Sequence, residues 1–472
     1  MDRIKRHILK VLVACSAFLL LLSLTALIVL NSGVLDSVAK NQAVALFNEK
    51  LFGRLELQEL HLQFPNKVTL INPRIYGPGE TTPALQASTV SLKFNFLTLL
   101  QPEIKRIYLR RLTADSLNAR IVTLKNGKLN LELIFKSRDP DTTKTHFEQF
   151  FCKNLKIKNS TCSYAGSSNN SGNQPLGIKN INCELSKFTV KKTLLKGTLD
   201  NVQLNIPSFQ FALRQASCEF FFSETRSELL ALKAMSNKSS AELSATIDHF
   251  NIFSRQREKL LSLSRSFLTI EKLAIHSDDL RILSPRVALP PGVYTLKGNA
   301  RGKKDNIEIL DGQLTHLKSK LAIKGELLNL NSRKAFAYRI TCDSSKIAAP
   351  FLESLLKESS YKDLASKTGN ITFFGHAQGS LNAVKTDFTT SSSLGEASLS
   401  AEASRNTSEQ LAGKGTFVLK GFKPHKLLAT NSVENTLLNA SGSFEGRADN
   451  KKVNQLTLDM KLANSLWRKS RH

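Results

Sequence analysis

Alternation with a period of two runs through most of this chain, and it constrains the fold more than any other feature. In "TVSLKFNF", residues 89–96, Val90, Leu92, Phe94 and Phe96 fall on one side of an extended strand. Ser91, Lys93 and Asn95 fall on the other. That pattern predicts a half-buried β-strand with one apolar and one wet side. It recurs at "LELQELHLQF", with a phase slip near Glu59, and at "KVTLINPRIYGPG", "EIKRIYLRRL" and "SLNARIVTL". It resumes at "ELSKFTV", "NVQLNI", "SFQFALR" and "SCEFFFS". A sheet of such strands has an apolar side that must be covered, by a second layer of protein or by something greasy.

Short strands joined by tight turns predict a meander in the first part of the chain. Asn126-Gly127 is a hairpin signal, and the "NGKLNLELIF" stretch behind it reads as a strand carrying Leu129, Leu131, Leu133 and Phe135 on one side. Pro207 suits a bulge or an edge. Residues 137–144 read as a linker and 167–173 as a loop. Helical readings are few. One covers "VLDSVAKNQAVALFNEKLFG", with Ser37 as cap, Val38, Val44, Ala45 and Leu51 on one face, and Gly53 as terminator. The others are "SRQREKLLSLSRSF" and "APFLESLLKESSYKDLA".

From Pro290 onward a β unit repeats. Each copy has two glycines four residues apart, at Gly298 and Gly302, Gly375 and Gly379, and Gly442 and Gly446. A polar turn and an alternating strand follow each pair. Units that bury their apolar face only by stacking on neighbours make a quasi-one-dimensional array.

The N-terminus carries a different signal. Residues 11–30, "VLVACSAFLLLLSLTALIVL", hold no charge. At about 1.5 Å per residue they span roughly 30 Å, a bilayer core. Arg3, Lys5, Arg6 and Lys10 precede them, which predicts a cytoplasmic N-terminus and an exported body. A cleaved secretory signal is the alternative, but the run is longer than such signals carry. Of the six cysteines, Cys15 lies in this run. One disulfide among Cys152, Cys162 and Cys183 is compatible with an oxidising compartment, but buried free thiols, with Cys218 and Cys342, fit better.

The formal charge of +27 is spread along the chain, without a dense basic block or a nucleic-acid module, and points to lipid head groups rather than nucleic acid. Catalytic patterns are missing. The nine histidines show no metal-pair spacing, and neither a nucleophile elbow nor a phosphate loop occurs. Asp278 and Asp279 are adjacent, so on a strand they would diverge, and they read as solvated turn residues. No enzyme activity, cofactor or metal is expected.

The order of these features resembles the AsmA-like superfamily, and its TamB branch in particular. The resemblance rests on the basic-flanked N-terminal run, "LFGRLELQELHL", "VTLINPRIYGPGETTPALQASTVSLKF", "IKRIYLRRLTADSLNARI" and "NGKLNLELI". It extends to "GHAQGSLNAVKTDF" and "GTFVLKGFKPHKLL" in the repeat region. It implies an inner-membrane protein with a periplasmic, curled β-sheet serving outer-membrane biogenesis. The implied roles are phospholipid transport and assembly or secretion of outer-membrane proteins, with a BamA/TamA-type outer-membrane protein as partner. The family's C-terminal domain, which meets that partner, has no counterpart up to "LANSLWRKSRH".

The expected fold is therefore mainly β. A transmembrane helix precedes an elongated, curled antiparallel sheet, a groove or solenoid of stacked hairpins, with a few short helices. The expected segments are a cytoplasmic tail (1–10), the span (11–30), an amphipathic helix (31–53) and β segments at 54–136, 137–289 and 290–472. Candidates for lining a lipid-holding trough are Leu92, Phe94 and Phe96, then Leu131, Leu133 and Phe135. Phe209, Phe211, Phe220 and Phe222 follow, although "FFF" itself does not alternate. Ile307, Ile309, Leu321 and Ile323 complete the set. The competing expectation is a membrane-anchored β-solenoid scaffold that binds a protein through an edge strand and carries no lipid.

Overall fold

The computed structural model describes residues 21, 32–94, 106–124, 127–138, 148–166, 176–254, 264–283, 290–303, 305–355, 359–405, 410–428, 436–448 and 453–465. They divide into two compact units, one ending at Phe222 and one starting at Ser223. Both are mainly β. The run 11–30 lies outside the described residues but for Leu21, and among the described residues no helix is long and apolar enough to cross a membrane.

The first unit opens with helix α1, Asp36–Lys50. Strands β1 (Arg54–Glu56), β2 (Glu59–Gln63), β3 (Lys67–Ile71), β4 (Arg74–Tyr76), β5 (Leu85–Gln86) and β6 (Thr89–Phe94) follow. Then come β7 (Arg106–Asp115), β8 (Asn118–Val122), helix α2 (Asn130–Ile134), β9 (Gln149–Ala165), β10 (Leu176–Lys191), β11 (Leu194–Ile206) and β12 (Phe211–Phe222). The meander holds through β8. It is then broken, because β7 and β8 both pair with β9 in parallel. A parallel pair needs a crossover, and the segment holding α2 supplies it.

A line of backbone kinks explains why the early strands come in halves. Asn72, Ser116, Asn159 and Asn180 take left-handed conformations, which Asn tolerates best. Successive kinks are hydrogen-bonded across the sheet. Asn72 donates its N–H to Ser88 O, Ser88 to Asp115 O, and Ser116 to Lys158 O, at 2.8–3.0 Å. Each kink shifts the alternation without turning the apolar side over, which accounts for the phase slip near Glu59.

Helix α1 caps the first edge of this sheet. Ala39, Ala43, Val44 and Phe47 pack on Leu55, Leu57 and Leu60. The expected face was misassigned: Val38 is exposed, and Ser37 lies inside the helix and does not cap it. Its neighbour Asp36 accepts the Leu62 N–H at 2.9 Å, and Asn48 accepts the Leu55 N–H at 2.6 Å. Lys40 donates to Gln58 O at 2.9 Å. These side chains occupy edge-strand backbone groups that would otherwise recruit another strand.

In the second unit the strands run β13 (Arg226–Ser236), β14 (Ser240–Asp248), β15 (Arg265–His276), β16 (Val293–Lys303), β17 (Asn306–His316), β18 (Ser319–Leu328) and β19 (Ala337–Ile347). They continue as β20 (Ile371–Ser380), β21 (Ala383–Ser392), β22 (Gly395–Arg405), β23 (Leu411–Phe422), β24 (Leu438–Ala448) and β25 (Val453–Leu462). Each pairs antiparallel with the next, from Arg226 to Leu462. Helices α3 (Ser277–Leu283), α4 (Ala349–Leu355), α5 (Ser359–Thr368) and α6 (Pro424–Leu428) lie in the connections after β15, β19 and β23. The repeat is therefore four strands followed by a helical link. The paired glycines fall on β16, β20 and β24, the first strand of each copy.

Some expectations fail locally. "SRSF" opens β15 rather than ending a helix, because Phe267 and Leu268 continue the alternation of that strand. Pro207 starts a 3-10 turn between β11 and β12, where its missing N–H costs no ladder bond. Asp278 and Asp279 lie on α3 and are engaged: Asp279 accepts from Ser236 and Ser239, and Asp278 from Lys238 at 2.6 Å.

Candidate functional site: two uncharged sheet faces

Residues directly opposite one another in a ladder share a face. In the first unit one such row is Leu62, Val68, Leu92, Leu112, Leu155, Leu185, Leu199 and Cys218. The next is Leu60, Leu70, Val90, Ala114, Ile157, Cys183 and Val202. A third brings Phe94, Leu109, Cys152 and Phe188 together. A run of ring contacts, Phe150 to Phe188 to Phe220 to Phe222, extends it at centroid distances of 5.9–6.4 Å. Gly197 on β11 makes this run continuous: a Cβ there would sit 3.0 Å from the Phe220 ring. Phe221 pairs with Lys196, so it alone of the three phenylalanines turns the other way.

The second unit repeats the arrangement over thirteen strands, β13 to β25. One row runs Leu229, Ala245, Leu268, Ala300, Ile309, Gly325, Ile340, Ala377, Thr386, Ala401, Gly415, Phe444, Leu458. The flanking row through Ile270, Ile323, Cys342, Phe388, Leu399 and Phe417 ends at Met460. The other, through Ile307, Leu327, Tyr338 and Val384, ends at Leu456. None of these three rows contains Lys, Arg, Asp or Glu.

The opposite face is ionic. Its ladder reads Arg301, Glu308, Glu326, Arg339, Gln378, Lys385, Glu402, Lys414 and Glu445. Arg301 bonds Glu308 at 2.9 Å and Lys385 bonds Glu402 at 2.6 Å. Charge thus marks the wet side and its absence the dry one.

Few of the described residues cover the dry side. Among the described residues α4 packs on α5 and α5 on α6, and α4 reaches the ladder at its end, where Phe351 meets the His316 ring of β17 at 5.4 Å. On β25, Leu456 is 63% and Leu458 56% exposed. On the ionic side a cleft of about 640 Å³ extends over β18 to β24, lined by Arg339, Lys385, Glu402, Lys414 and Glu445 of the charged ladder, with the six residues Tyr338, Gly379, Val384, Ala403, Gly413 and Gly446 running beneath them. These six belong to one register row, and its glycines and alanines leave the room.

The sequence-derived lining divides accordingly. Leu92, Phe94, Phe220 and Phe222 share the dry face of the first unit, and Phe211 pairs with apolar Ile206. Ile307, Ile309, Leu321 and Ile323 share that of the second. Phe96 lies outside the described residues. Leu131, Leu133 and Phe135 are corrected: residues 130–134 form α2 rather than a strand, and Leu133 and Phe135 are 38% and 47% exposed. The cause is Asn130. Its side chain accepts from the Val122 and Leu131 N–H groups and donates to Arg120 O, which ends extension and starts the helix. Phe209 sits in the 3-10 turn, 47% exposed, and lines nothing.

The five described cysteines are free thiols, so no disulfide joins Cys152, Cys162 and Cys183. Burial pushes each thiol above its usual value, with Glu184 adding to the effect at Cys183. They are packing residues rather than nucleophiles. Among the described residues no group of acids, histidines and cysteines could hold a metal. The sequence matches no family model, no curated protein and no solved structure.

Proposed function

We propose that the uncharged faces hold lipid acyl chains, in an envelope protein anchored in the inner membrane by residues 11–30 with its β body in the periplasm. In this reading the protein serves outer-membrane biogenesis in the TamB manner, carrying phospholipid chains or assisting outer-membrane protein assembly. It acts without catalysis. The observation that carries the reading is the set of three charge-free rows crossing every strand of the second unit, over which the described residues place no helix layer. Thirteen strands about 4.8 Å apart make a path of roughly 58 Å. Each methylene on it gains about 0.8 kcal/mol over water. Because neighbouring strands offer similar apolar contacts, a chain could shift along the path without crossing large barriers.

The test uses the two opposite faces of the same ladder. Phe388→Glu puts a charge on the dry row, and Thr416→Glu puts one on the wet side, between Ser400 and Ser443. Native mass spectrometry of detergent-extracted protein should show bound lipid in the parent and in Thr416→Glu, and a large loss in Phe388→Glu. Equal lipid in all three, or none in the parent, rejects the reading. A scaffold working through an edge strand would carry no lipid in any of them.

A further inference from the structure

On the wet face of the first unit the charges are not balanced as they are in the second. Lys67, Lys93 and Arg111 are consecutive register partners on β3, β6 and β7. A second cation row lies beside them. The ladder slips between Lys93 and Phe94, which leaves Arg110 as an extra residue of β7. Arg110 stands level with Lys153 of β9, between the pairs Leu109–Cys152 and Arg111–Asn154. Lys153 in turn stands level with Lys187 of β10, between Asn154–Ser186 and Cys152–Phe188. Lys187 takes a left-handed backbone, φ 53°, at a separate register shift between β10 and β11. Leu109 and Leu112, Cys152 and Leu155, and Leu185 and Phe188 all keep to the dry face, so these extra cations fall on the wet one.

Six cations thus line a strip across five strands. Side chains directly opposite in a ladder stand about 5 Å apart, and like charges so placed repel. Among the described residues none of the six has an ion-pair partner. The nearest acid in the adjoining row, Glu184, is taken by Lys156 at 2.9 Å. On the other flank of the strip Tyr108 and Phe151 are register partners, their rings 6.2 Å apart. Cations beside half-buried aromatics are the composition of a surface that meets lipid head groups.

The position of the strip names the membrane. Asp36, at the start of α1, holds the backbone of Leu62. The next residue, Gln63, is the register partner of Lys67, the first cation of the strip. Only residues 31–35 separate Asp36 from the apolar run, a reach of roughly 20 Å at most. We infer that this strip docks the first unit on the anionic head groups of the bilayer in which residues 11–30 are anchored. The inference rests on the anchor in the proposed function but not on the lipid-holding face.

The full chain in nanodiscs tests it. Phe151→Trp, in a Trp467→Phe background, puts the only indole beside the strip, and Tyr108→Trp is a second reporter one strand away. In discs containing brominated phosphatidylglycerol both indoles should be quenched. Quenching should disappear in discs of brominated phosphatidylcholine alone, and on raising salt to about 1 M, where the screening length is only about 3 Å. It should also disappear in Lys93→Gln/Arg110→Gln/Lys153→Gln, a change that relieves repulsion and so spares the fold. Quenching that ignores lipid charge or survives the triple substitution overturns the inference, as does its absence in both reporters. A chain that does not enter discs overturns the anchor and this inference together. Lipid co-purification, read separately, leaves the dry face to be judged by itself.

Discussion

Gly298 and Gly375 show how one missing side chain fixes a whole ladder. Their φ values of 147° and 152° lie where only glycine is at ease. A Cβ on either would stand 2.1 Å from a backbone oxygen of the next strand, that of Asp311 or Asp387. Gly442, at the same place in the third copy, would meet Asp459 O at the same distance. The four-residue glycine spacing was visible in the sequence, and for the first glycine of each pair the cause is this close approach of neighbouring backbones; of the second glycines Gly379 shares it, a Cβ there standing 2.1 Å from Ala383 O. Gly375→Ala should cost on the order of 3 kcal/mol or more, from the strained backbone and the clash. Gly413→Ala, which meets atoms no nearer than 3.6 Å, is the control and should cost much less. The shift in thermal unfolding followed by circular dichroism measures both. Asn130 teaches the opposite lesson. Leucines spaced by two on either side of it satisfy a strand pattern, and only the three hydrogen bonds of its buried amide reveal the helix. Nothing in the local spacing carried that information, because the bonds reach back to Arg120 and Val122 on a different element.

Helix α1 was legible as a helix but not as an edge cap. Its apolar residues announce a packing face, while the role of Asp36, Lys40 and Asn48 depends on where β1 and β2 lie. The double variant Asp36→Ala/Asn48→Ala removes the acceptors of the Leu62 and Leu55 N–H groups. Each loss should cost about 1–2 kcal/mol. The more telling readouts are local. The Leu55 and Leu62 amides should lose hydrogen-exchange protection, while amides of β16 to β20 keep theirs. The uncovered edge should also promote self-association in sizing experiments. Unchanged exchange at both amides would mean that packing of Ala43, Val44 and Phe47 alone holds the helix in place. The parallel pairing of β9 with β7 and β8 was equally hidden. Each strand alternates as an antiparallel one would, and direction is decided by the crossover rather than by the strands.

In the second unit, the period of four strands and a helical link makes the ladder modular, and modularity can be tested by excision. Removing residues 349–423 joins β19 to α6 and β24, and takes out β20 to β23. The register should survive, because β24 carries the same glycine pair as β20. Cys342, now opposite Gly375, would face Gly442. Ile340 would face Phe444 in place of Ala377, and Tyr338 would face Gly446 in place of Gly379. On the wet side Arg339, now opposite Gln378, would gain Glu445 as partner. Every dry row stays free of charge. In an array held by nearest-neighbour contacts such a deletion subtracts one unit without collapsing the rest. The shortened protein should remain soluble and strand-rich by circular dichroism. Its lipid content by native mass spectrometry should fall with the loss of four of the thirteen strands rather than vanish. An insoluble product would show that the four-strand period is a pattern of sequence without energetic independence. A soluble product with undiminished lipid would instead place the bound chains outside β20 to β23.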